Sequence, residues 1–99
     1  MKYKIRAAAA RDIDEAADWY REHSVDPRVA VRLLLAVRAA FETIAESPFG
    51  FPEVHRDVRR CRVLAFPVYS VFYRVLPDAV VVTAVFHGHR RPLAWKRRR

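Results

Sequence analysis

The stretch YSVFYRVLPDAVVVTAVF, Tyr69–Phe86, decides the fold. Its first half alternates with period two: Tyr69, Val71, Tyr73 and Val75 fall on one face, Ser70, Phe72 and Arg74 on the other. Its second half, Val80 to Phe86, is an apolar strand. Only Pro77-Asp78 and their neighbours separate the two, a tight turn that forces an antiparallel hairpin. The second strand ends abruptly in His87, His89, Arg90 and Arg91, followed by Trp95 and the run Lys96–Arg99. One end of the sheet is thus made to present positive charge, two titratable rings and an indole, which suits a polyanion or an acidic partner.

Working outward, Val58–Ala65 reads as a further strand, joined to the hairpin through Phe66-Pro67. Residues 47–57, SPFGFPEVHRD, read as a loop marked by Pro48, Gly50 and Pro52. Before it, Val29, Ala30, Leu33, Leu34, Val37, Ala40, Phe41 and Ile44 form the apolar stripe of a long helix. Asp26 caps it, Pro27 opens it and Pro48 stops it. Ile13, Ala16, Ala17 and Tyr20 make a second stripe over Arg11–His23, with Asp12, Asp14 and Glu15 near the positive end of its dipole. The short link His23–Val25 folds the two helices into a hairpin. At the start, Tyr3, Ile5 and Ala7 alternate with Lys2, Lys4 and Arg6, a half-buried strand. The order is β-α-α-β-β-β. The expected architecture is one α+β domain, residues 1–99: a twisted antiparallel sheet with the helical hairpin packed on one face and a mobile basic tail, 96–99.

Composition narrows the function. The chain has 99 residues, 53% of them hydrophobic, and a net charge of +8. Residues 1–50 balance eight Lys/Arg against eight Asp/Glu; residues 51–99 hold eleven against three. A one-sided excess points to an anionic partner, where solubility alone needs only net charge. No apolar run is long enough to span a membrane, the N-terminus does not read as a signal peptide, and the single cysteine, Cys61, reads as a small apolar residue of a cytoplasmic protein. His87-Gly88-His89 lacks a nearby thiol or carboxylate and makes no metal site; no cofactor is expected.

The segment from Phe66 to Trp95 resembles the RelE/ParE superfamily of bacterial type II toxins. Phe66, Pro67, Tyr69, Phe72, Tyr73 and Arg74 match the family's hairpin strand. Ala84, Val85, His87, Gly88, Arg90, Pro92 and Trp95 match its terminal pattern. Pro48, Gly50 and an arginine of the Arg59–Arg62 cluster match the loop into the preceding strand. The ParE-like branch, which includes plasmid stabilisation proteins, fits better than the RelE branch. The resemblance implies growth arrest by a toxin that a cognate antitoxin wraps and neutralises. ParE-like toxins poison DNA gyrase; RelE-like toxins cleave messenger RNA on the ribosome. Fold alone does not decide between them.

RNA cleavage needs a base for the 2′-OH, an acid for the leaving oxygen and cations on the phosphate. On the resemblance, Ser70 stands where the ribonuclease branch has an arginine, and the lysines of the preceding region are missing. Trp95 stands near its terminal tyrosine, and an indole N–H serves as neither acid nor base. A substitute set would be Arg62, His87 and Arg90, with His89 beside them. The non-nuclease reading is therefore preferred. Arg60, Arg62, Arg74 and Arg90 are the expected contacts for antitoxin carboxylates. His87, His89, Arg90, Arg91, Trp95, Arg97 and Arg98 are the expected target contacts. The ordinary alternative for Arg59, Arg60 and Arg62 is a sheet edge kept charged against aggregation.

Overall fold

The computed structural model describes residues 1–88 and 94–99. Five strands and two helices follow in the order β1 (Lys2–Ile5), α1 (Ala7–His23), α2 (Arg28–Glu46), β2 (Glu53–His55), β3 (Val58–Val63), β4 (Phe66–Val75) and β5 (Ala79–His87); a 3₁₀ turn, Ala94–Arg97, closes the chain. The strands form one sheet, ordered β1-β5-β4-β3-β2, with the helices on one face. No helix among the described residues is long and apolar enough to cross a membrane.

The expected α+β layer is present, with three local corrections. The sheet is mixed rather than wholly antiparallel, because β1 pairs in parallel with β5, Tyr3 against Val80 and Ile5 against Val82. Short turns fix which strands form hairpins, but the partner of a strand released into a helical hairpin is settled by packing. Helix α1 begins at Ala7, four residues earlier than its apolar stripe, since the run Ala7–Ala10 is the best helix former in the chain. The loop 47–57 contains the short edge strand β2. It turns into β3 through Arg56 and Asp57, both at positive φ (29° and 59°), the conformation a two-residue hairpin demands.

Strand β3 ends at Val63. Leu64-Ala65 form the turn, Ala65 with φ 69°, and Phe66-Pro67 already belong to β4. Helix α2 starts where Asp26 predicts: its Oδ1 accepts the Arg28 backbone N–H at 2.9 Å.

The main core lies between helices and sheet. Ala16, Leu33, Val37, Phe41 and Ile44 meet Cys61, Tyr69, Val71, Tyr73, Val80, Val82 and Val85. Each fully buried aliphatic side chain contributes about 2 kcal/mol. Tyr69, Val71 and Tyr73 are thus the helix-facing set, and Ser70, Phe72 and Arg74 face away. A β-bulge at Thr83 lets Phe72 pair with Ala84 but Tyr73 with Val82. The Thr83 hydroxyl donates to the Phe72 carbonyl at 3.3 Å. The bulge shifts the parity of β5, so Val85 rather than Ala84 continues the core face.

Candidate functional site

Strand β1 stops at Ile5, so the far end of β5 has no strand on that side. Asp12 of α1 fills the gap. Its carboxylate accepts the Val85 backbone N–H at 3.0 Å and pairs with Arg98, whose Nη2 reaches Oδ1 at 3.1 Å. The Asp12 side chain is only 8% exposed. Arg98 also lies over the Phe86 ring, 4.6 Å from its centroid. Asp12 carries a role that its place near the helix dipole does not suggest. The available signal was its spacing: Ala9 and Ala16, at i−3 and i+4, are both buried, which puts Asp12 on the core stripe.

On the sheet face away from the helices, Val58, Phe72 and Ala84 form a second, small apolar cluster. Trp95 closes it. Its indole stacks on Phe72 with centroids 4.4 Å apart and planes 12° apart; His55 meets it edge-on at 6.1 Å, and the Lys96 ammonium lies 5.8 Å from the ring centre. Arg99 reaches Asp57 at 3.1 Å, where Arg74 also donates at 3.1 Å. The Arg74 hydrogen bond, ahead of the charges of Arg74 and Arg99, holds the Asp57 carboxyl below the usual range. Within the tail 96–99, Arg98 and Arg99 each have a carboxylate partner, and Trp95 just before it is stacked on the sheet.

The structure sorts the other expected site residues by face. Arg60 pairs across β4 with Phe72, and Arg62 with Ser70. Both belong to the outer face, as does Arg74. A hollow of about 160 Å³ there is lined by Arg60, Ser70, Phe72, Phe86, His87, Gly88 and Trp95. His87 pairs with Tyr69 and meets its ring edge-on at 5.2 Å, which puts the imidazole on the helix side, by a second hollow lined by Asp12, Glu15 and Tyr69. Arg62 and His87 thus stand on opposite faces with β4 between them, and the structure does not bring them together. Arg97 is exposed on the 3₁₀ turn. His89, Arg90 and Arg91 lie outside the described residues.

Two buried groups are structural. The Tyr73 hydroxyl donates to the Pro48 carbonyl at 2.7 Å, and burial pushes its pKa up to about 12. The Cys61 thiol, buried on the core face, is likewise pushed up by burial. Arg59, on the core side of β3, donates to the Phe51 carbonyl at 2.6 Å and helps Tyr73 fasten the loop before β2. No group of three metal-ligating side chains occurs among the described residues.

Charge divides by layer more cleanly than by sequence half. Residues 7–46, the helical layer, hold five Arg against eight acids; the remainder holds fourteen Lys/Arg against three. Strand β1, from the balanced first half, joins the basic layer with Lys2 and Lys4, and Arg6 follows directly after it.

The family model described as "ParE toxin of type II toxin-antitoxin system, parDE" matches residues 3–92. The chain is 31% identical over 85 residues to "Toxin RelE1" of Caulobacter vibrioides (strain ATCC 19089 / CIP 103742 / CB 15), a match that covers 85% of this chain and 89% of that one. Its fold is similar to a chain of "Chromosomal ParDE TA system from P. aeruginosa", with a TM-score of 0.77 at 19% identity, over 88% of this chain and 95% of the other.

Proposed function

We propose, for a chain that belongs to the ParE toxin family of type II toxin–antitoxin systems, that it arrests growth by binding and inhibiting DNA gyrase, and that a cognate antitoxin neutralises it. The observation that carries the choice of target is the placement of Arg62 and His87 on opposite sheet faces. A ribonuclease must gather acid, base and phosphate-binding cation around one phosphodiester. Tyr73, a further titratable group near the centre of the sheet, is committed to Pro48 and holds its proton at neutral pH. Binding without bond cleavage asks only for a shaped, charged surface.

In this reading the basic rim after β5, with His87, His89, Arg90, Arg91 and Arg97, meets the target. Trp95 and Arg98 act by holding the tail against the sheet. Acidic residues of the antitoxin meet Arg60, Arg62, Arg74 and Arg90. The place of action is the cytoplasm, and plasmid stabilisation is the expected consequence of a toxin that outlives its antitoxin.

One observation favours a second reading, a ribosome-dependent messenger endoribonuclease: the relative at 31% identity bears the name Toxin RelE1. A supercoiling assay decides. Purified gyrase is given relaxed plasmid, ATP and the folded chain freed of antitoxin. Loss of supercoiling, or trapped cleaved DNA, is the expected result. Full supercoiling at excess of a chain that still arrests growth would overturn it, and cleavage of ribosome-bound message would then be measured.

A further inference from the structure

The outer sheet face carries more positive charge than the antitoxin contacts above use. Register puts Lys4, Val81, Arg74 and Val58 in one row across the sheet, all on the side away from the helices. Lys2, two residues before Lys4, extends the same face along β1, and Arg6, the extended residue between β1 and α1, follows Lys4 with its backbone N–H on the Val82 carbonyl. Lys4 and Arg74 flank Val81 and are about 10 Å apart; Lys2 and Lys4 are about 7 Å apart along β1. Among the described residues Lys2, Lys4, Arg6, Arg60 and Arg62 belong to no ion pair. Arg74 and Arg99 share one carboxylate, Asp57, and leave one positive charge over. A shallow hollow at the end of β1 collects Arg6, Arg98 and Arg99. Eight of the eleven acids are on the helical layer, so a polyanion approaching the sheet side is attracted and one approaching the helices is not.

We propose that this face binds the phosphate backbone of duplex DNA, with Lys2, Lys4 and Arg6 as the contacts nothing else in the fold employs. Duplex rather than single-stranded nucleic acid follows from the aromatic side chains. Single strands are held by bases stacked on exposed rings. On this face Phe72 is buried and Trp95 has one side on Phe72 and the Lys96 ammonium near its ring. Cations without a free stacking surface read phosphates and not bases. The site belongs to the free toxin, because an antitoxin on Arg60 and Arg74 covers its neighbour. It does not rest on gyrase as the target, and it is tested without gyrase.

The test is fluorescence anisotropy with a labelled duplex of about two turns, the free chain, and a salt titration. Binding is expected with a slope of log K against log salt near −4, the signature of four to five phosphates. The variant Lys2→Gln/Lys4→Gln/Arg6→Gln is expected to bind at least ~10-fold more weakly at about 0.1 M salt, with a slope shallower by about 3. These side chains are exposed, and circular dichroism checks that the fold survives. Arg28→Gln/Arg32→Gln/Arg38→Gln removes the same charge from the helical layer and is expected to change little. Equal losses in both variants would reduce the effect to net charge and overturn the site. Equal or tighter binding of the single strand, or of polyglutamate, would overturn the duplex assignment.

Discussion

The two faces of the sheet use the same strands for different ends. On the helix side, Tyr69, Val71, Tyr73, Val80, Val82 and Val85 meet two amphipathic helices, and Arg59 fastens a loop. On the outer side, three buried residues and the docked Trp95 make a patch, and arginines and lysines surround it. Stability is concentrated in one layer, which frees the other to hold cations at positions a folding optimum would fill with apolar groups. If so, truncation should be costly on the helix side and tolerated outside. Ile44→Ala, at a site with no exposure, is expected to cost about 3 kcal/mol in urea unfolding. Trp95→Ala, half-buried, is expected to cost about 1–2 kcal/mol despite removing a larger side chain. Equal costs would erase the distinction between the faces.

Asp12 crosses from one region to the other, and it is the sharper test. It stands on a core-side helix, caps the β5 edge that β1 leaves open and holds Arg98 of the tail. Asp12→Asn keeps an acceptor for Val85 and loses the charge partner of Arg98. The expected cost is about 2 kcal/mol, as for a hydrogen-bonded, poorly solvated charge pair. A double-mutant cycle with Arg98→Ala is expected to show coupling of about 1–2 kcal/mol. Additive losses would mean that the Asp12–Arg98 pair does not hold the tail.

Most of the architecture was legible because it is written in periodicity. Period two in Tyr69–Val75 separated the two faces of the strand but did not say which is the core, and the helical stripes named the residues that cover it. The parts that were not legible depend on contacts between residues far apart in the chain. Nothing local in Lys2–Ile5 says that it will lie beside Val80, and nothing local in Arg98 says that Asp12, 86 residues away, awaits it. A terminal basic run looks mobile until a partner is found for it. The candidate site suffered most: Arg62 and His87 look like plausible neighbours in a list, but pleat and register put them on opposite faces. The Thr83 bulge, which shifts the parity of β5, has no mark in an otherwise apolar run.

The smallest expected effect concerns the border of the outer face, where Asp57 serves both Arg74 and Arg99. Its carboxyl titrates below the ordinary 3.8, chiefly through the Arg74 hydrogen bond. Between the ordinary value and the folded one, the unfolded chain binds the proton more readily than the folded chain, so stability rises with pH there. The contribution is complete above the ordinary value and is lost as pH falls through the folded one. Asp57→Asn removes it at every pH. Urea midpoints of the two chains are therefore expected to differ by a constant amount near neutrality and to converge in acid. The pair is exposed and open to screening, so added salt should shrink the gap as well. A gap that persists unchanged to the lowest pH would belong to the strained Arg56-Asp57 turn, where asparagine and aspartate differ in backbone preference, and not to the charge that ties the tail to the sheet.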